Sequence, residues 1–96
     1  MTSKQRAYLK GKAMVMEPIF QVGKSNLTPE VTGAIDEALE ARELIKINVL
    51  KNCTEDPRQL AEMLAERTHS AVVQVIGRKI VLFRQAREKS RYQLPE

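Results

Sequence analysis

Hydrophobic positions along the chain follow two periods, and the switches between them mark out seven elements. Residues 3–15 follow helical spacing, with Ala7, Tyr8, Met14 and Val15 near one side and Ser3 placed to cap. Glu17-Pro18 ends this helix, because a residue ahead of proline is pushed out of the helical region. Residues 19–22 (Ile-Phe-Gln-Val) read as a short strand and residues 23–26 (Gly-Lys-Ser-Asn) as a loop. Thr28-Pro29-Glu30 opens a second helix with a capping threonine, proline at the first helical position and an acid in the first turn. Val31, Ile35, Ala38 and Leu39 form its apolar stripe, while Asp36, Glu37 and Glu40 take the other side. Residues 44–50 alternate, with Ile45, Ile47 and Val49 facing one way and Lys46 and Asn48 the other, as in a half-buried strand. Asp56-Pro57 caps a third helix carried by Leu60, Met63 and Leu64 and ending near Thr68-His69. Residues 71–76 and 80–83 are β-branched runs split by Gly77-Arg78-Lys79, a hairpin signature.

The order α-β-α-β-α-β-β predicts an α+β fold, a two-layer arrangement with a four-stranded mixed sheet and helices packed mainly on one face. Two β-α-β crossovers make the first three strands parallel, and the hairpin returns the fourth antiparallel. The loop 23–26 and the turn 77–79 then share one edge, where open α/β sheets bind ligands. The expected organisation is one domain over residues 1–86 and a basic tail over 87–96. That tail is read as mobile, or helical only when docked.

Composition narrows the function. The 96 residues include 4% aromatics and no tryptophan, so the core is aliphatic and aromatic stacking platforms for single strands are not expected. One cysteine and one histidine leave disulfides, cysteine metal clusters and histidine-based triads short of partners. No apolar run approaches the roughly 18–20 residues that span a bilayer, and no secretory signal opens the chain. A reducing cytoplasm is the expected compartment.

Charge is unevenly placed. Residues 1–24 hold five bases against one acid, residues 28–66 four against nine, and residues 67–96 seven against two. The formal net charge is +4. Basic ends around an acidic middle suit a folded object with one positive side, the footprint of a polyanion binder, although the same charges also serve solubility.

Candidate chemistry centres on the loop. Gly23 admits close approach to the backbone, Lys24 adds a compact charge, and Ser25 and Asn26 add short donors. The loop leads into the helix capped at Thr28, whose N-terminal amides and dipole favour phosphate. Arg78 and Lys79 reach in from the neighbouring turn. Such an arrangement can clamp an RNA backbone as GxxG loops do, or it can be an ordinary strand-to-helix turn. A nucleotide P-loop is excluded, since its earlier glycine is replaced by Pro18. Lys4, Arg6, Lys10 and Lys12 make a basic face on the first helix or a solvated one. Arg84 ends the last strand at the far edge and either contacts RNA or pairs with an acid. His69 caps carbonyls at its helix end, Cys53 is a plain thiol, and the acids of the middle segment solubilise.

Several strings together resemble the CRM domain family (chloroplast RNA splicing and ribosome maturation), in its stand-alone bacterial YhbY type. They are Ser3-Lys4-Gln5-Arg6 with Leu9-Lys10-Gly11-Lys12-Ala13, Val22-Gly23 with Leu27-Thr28, residues 35–40 with 43–46, and residues 73–78 with 81–84. The resemblance implies a fold similar to the C-terminal domain of the third bacterial translation initiation factor. It also implies binding of structured RNA, namely ribosomal RNA of precursors of the large subunit. The family's loop reads Gly-x-x-Gly; here Asn26 holds the fourth position, and asparagine tolerates left-handed backbone better than other non-glycines. The expectation is a non-catalytic, monomeric RNA-binding factor without cofactor, membrane or small-molecule substrate. Its contacts would be Lys4, Arg6, Lys10, Lys12, Gly23, Lys24, Ser25, Asn26, Thr28, Arg78, Lys79 and Arg84. A protein-interaction adaptor that makes no direct RNA contact is the alternative.

Overall fold

The computed structural model describes residues 1–24 and 27–96. Helix α1 spans Ser3–Ala13, strand β1 Phe20–Val22, helix α2 Pro29–Arg42, strand β2 Leu44–Val49, helix α3 Pro57–Thr68, strand β3 Ala71–Ile76 and strand β4 Lys79–Phe83. The expected order is present throughout. The sheet runs β1-β2-β4-β3. β1 pairs parallel with β2, and β4 lies antiparallel to both of its neighbours. β1, β2 and β3 therefore share one direction, with β4 inserted between the second and third.

Local chemistry accounts for the boundaries. Thr28 accepts a hydrogen bond from the Val31 amide at 3.1 Å, and Pro29 opens the helix without a donor to satisfy. Asp56 caps α3 in the same manner through the Arg58 amide. In α1 the cap is Thr2 rather than Ser3, because Gln5 then stands at the third helical position and returns a bond to the Thr2 amide. α1 ends at Ala13, earlier than the apolar spacing suggests. Met14 and Val15 are 78% and 87% exposed, so nothing rewards extending the helix over them. Its buried residues are Leu9 and Ala13, four apart and aimed at the sheet.

The two faces of the sheet carry separate cores. On one, Ile45, Ile47, Val49, Ile80 and Leu82 pack against Ile35 and Leu39 of α2 and Leu60 and Leu64 of α3. On the other, Leu44, Val73, Val81 and Phe83 pack against Leu9 and Ala13. The second core also engages the tail. Tyr92 and Leu94 lie against it, and the Tyr92 ring meets Phe83 edge-on at 5.7 Å. The tail is thus irregular and docked, not helical and not free. Its apolar residues cover sheet surface that α1, at 11 residues, leaves open.

Candidate nucleic-acid interface

Register decides which loops meet. Val22 is level with Val49, Asn48 with Lys79, and Lys79 with Ile76. The exit of β1, the exit of β2 and the β3–β4 turn consequently lie on one rim, and hydrogen bonds lock them together. The Leu50 amide donates to the Val22 carbonyl at 2.8 Å, and the Val49 amide to the Arg78 carbonyl at 2.7 Å. The Arg78 guanidinium donates to the Leu50 carbonyl at 3.3 Å, and the Lys79 ammonium to Asn48 Oδ1 at 2.8 Å.

Gly23 is tightly flanked: a Cβ there would stand 3.1 Å from Asn52 Oδ1 and 3.2 Å from Leu50 Cδ1. Gly77 opens the two-residue turn at φ +57°, a conformation that glycine adopts without steric cost. Lys24 and Arg78 are exposed, and Lys79 is half-buried. The Thr28 hydroxyl is spent on its cap, so this residue serves the rim by starting α2 there. Ser25 and Asn26 lie outside the described residues. Lys51, which sequence reasoning passed over, is an exposed cation between Leu50 and Asn52 and belongs to the same rim. Its signal was its place just beyond β2, once β1 and β2 are known to run parallel.

The remaining expected contacts are elsewhere. Arg84 lies at the opposite rim with both terminal guanidinium nitrogens engaged. Its guanidinium meets Asp36 Oδ1 at 2.6 Å, the Thr68 carbonyl at 2.7 Å, the Asp36 carbonyl at 2.9 Å and Glu40 Oε2 at 3.2 Å. On α1, the four bases do not form one face. Lys4, Tyr8 and Lys12 follow one another at four-residue spacing, with the Lys12 ammonium 5.5 Å from the Tyr8 ring centre. Arg6 and Lys10 flank the buried stripe on its other side and face β3.

Beside Arg84, Glu43 ends α2 at φ +68° and is 2% exposed. Its carboxylate accepts from the Arg91 amide at 2.7 Å, the Ala86 amide at 3.0 Å and the Ser90 hydroxyl. Burial pushes the carboxyl up, but these hydrogen bonds and the Arg91 charge outweigh it, leaving Glu43 below its ordinary value. Burial, with the Glu43 charge, pushes the Tyr92 phenol up.

Among the described residues, the two ion pairs within 4.0 Å are both made by Arg84. Lys24, Lys51, Arg78 and Lys79 hold no carboxylate partner there. The rim thus combines unneutralised cations, a tight glycine and the start of α2, which together receive an anion well. Among the described residues no group of His, Cys, Asp and Glu is set to hold a metal ion, and no helix is long and apolar enough to cross a membrane.

Similarity to known proteins covers nearly the whole chain. Residues 1–84 match the CRS1/YhbY (CRM) domain. A Bacillus subtilis protein named "Probable RNA-binding protein YqeI" is 46% identical over 95 residues, covering 99% of each chain. A Haemophilus influenzae protein named "RNA-binding protein" is 35% identical, covering 99% of this chain and 95% of its own. The solution structure of a Staphylococcus aureus protein superposes with a TM-score of 0.84 at 45% identity, covering 99% of both chains.

Proposed function

Since the chain belongs to the CRS1/YhbY (CRM) domain family, we propose that it is a non-catalytic RNA-binding protein that acts as a monomer on ribosomal RNA of large-subunit precursors. The observation that carries this reading is the cluster of cations Lys24, Lys51, Arg78 and Lys79, without an ion-pair partner among the described residues, on the rim that also holds Gly23 and the start of α2. The names of the relatives support RNA as the ligand. Phosphates would settle against the Gly23 backbone and the α2 N-terminus, with the lysines and Arg78 releasing counterions. Ser25, Asn26 and Thr28 complete the proposed contact, with Lys4, Arg6, Lys10 and Lys12 as a flanking surface. Arg84 is left out of it, because both its terminal nitrogens are held by Asp36, Glu40 and the Thr68 carbonyl.

The test uses Lys24→Glu with Lys51→Glu, both exposed and outside the core. Binding to a structured large-subunit rRNA fragment should weaken, and the slope of log K against log salt should shrink by about 1.8, two duplex phosphate contacts. A folded double variant with unchanged affinity and slope rejects this rim. Crosslinking in cells tests the partner: reads concentrated on large-subunit rRNA are expected, and reads spread over messengers would reject the ribosomal role.

A further inference from the structure

Resting on RNA as the ligand, we propose that a groove along the free edge of β3, between α1 and α3, is a second channel that takes the backbone of an unpaired RNA strand leaving the rim, with Arg58 as a contact residue. Arg6 and Lys10 form one wall, Arg58 and Glu62 the other, and β3 from Val72 to Ile76 the floor. Three cations stand against one acid, and none of them has an ion-pair partner among the described residues. Arg6 is held in place by a main-chain acceptor, its guanidinium donating to the Val72 carbonyl at 3.2 Å. It is a preorganised cation that a phosphate meets without first separating it from a carboxylate.

A bare strand edge ordinarily invites another protein strand. Two features oppose that here. The register shifts between Val72 and Gln74, which breaks the straight ladder a partner strand needs. Arg6 also occupies the outward carbonyl of Val72. Antiparallel alternation leaves the main-chain groups of Val75 facing the groove, where its amide can donate to a phosphate oxygen.

The channel is continuous with the rim. Ile76 lines its end and pairs with Lys79 across the Gly77-Arg78 turn. Ile76 is 60% exposed and offers an apolar contact to a base or ribose at the junction. From Val72 to Ile76 the floor runs about 13 Å at strand rise. Cations on both walls close on one backbone from two sides, which suits a strand whose bases are unpaired.

The experiment measures binding of a 15-nucleotide oligouridylate against salt for the wild type, for Lys10→Glu with Arg58→Glu, and for the rim pair Lys24→Glu with Lys51→Glu. The groove pair should lose at least tenfold in affinity and about 1.4 in slope, two single-strand contacts. Lys10→Gln with Arg58→Gln reads the same slope should charge reversal unfold the domain. A folded groove variant with wild-type affinity and slope, beside an impaired rim variant, overturns the channel and spares the rim. A wild type that binds the structured rRNA fragment but not the oligouridylate overturns the channel and spares the rim; one that binds neither overturns the reading beneath both. Binding of polyglutamate that the groove pair abolishes, with RNA binding intact, overturns the channel in favour of an acidic protein segment.

Discussion

Arg78 and Arg84 stand at opposite ends of the sheet, six residues apart in sequence. The Arg84 side chain is 21% exposed and gives its donors to Asp36, Glu40 and two carbonyls, joining α2 to the end of α3. The Arg78 side chain spends one donor on the Leu50 carbonyl and is otherwise free of carboxylates among the described residues. The same contrast holds for neighbours. Glu43 is buried under three donors at the Arg84 end, while Lys24 and Lys51 are exposed at the Arg78 end. A charge whose partners are supplied by the fold holds the fold together. A charge left without them keeps its field for something outside.

Glu43→Ala gives the sharpest separation of the two ends. It strands two amides and a hydroxyl that the carboxylate now satisfies, at a cost of about 3 kcal/mol in urea unfolding. RNA affinity of the folded fraction should hold; a selective loss would break the division between the ends. Acid should act through the same group. Because the Glu43 carboxyl lies below its ordinary value of 4.5, its contribution is present above that value and disappears as pH falls through the lowered one. Thermal melts of the wild type should therefore steepen their decline below about pH 4.5, and Glu43→Gln should flatten that limb.

Arg84→Met comes next. Partial exposure screens the two ion pairs, so the cost should be about 1.5 kcal/mol, mostly from the lost carbonyl bonds, with the salt slope of RNA binding unchanged. Any fall in that slope would return Arg84 to the RNA surface. The smallest effect belongs to Gly77→Ala. Nothing lies within 4 Å of the added carbon, so only the positive φ is penalised, by about 1 kcal/mol, with a mild loss of RNA affinity as the Arg78-Lys79 turn shifts.

Much of this was legible in the residue order. Thr28-Pro29-Glu30, the alternation over Ile45, Ile47 and Val49, and Gly77 each specify a local conformation through bonds and sterics within a few residues. Strand direction then placed Lys24 and Arg78 on one rim. The buried side of α1 was not legible, because Ala7, Tyr8, Met14 and Val15 are as regularly spaced as Leu9 and Ala13, and only the sheet beneath selects Leu9 and Ala13 for full burial. The tail was misread for a related reason. Its polar composition conceals Tyr92 and Leu94, whose docking depends on apolar surface left beside a short helix.

The chain by itself determined its seven elements, their direction and the excess of cations, since caps, periodicity and turns act over short stretches. Which cations are neutralised was decided only in three dimensions. Arg84 finds Asp36 and Glu40 more than forty residues away, while the side chains of Arg6, Arg58 and Arg78 form no ion pair among the described residues, because ion pairing depends on distances that only packing sets.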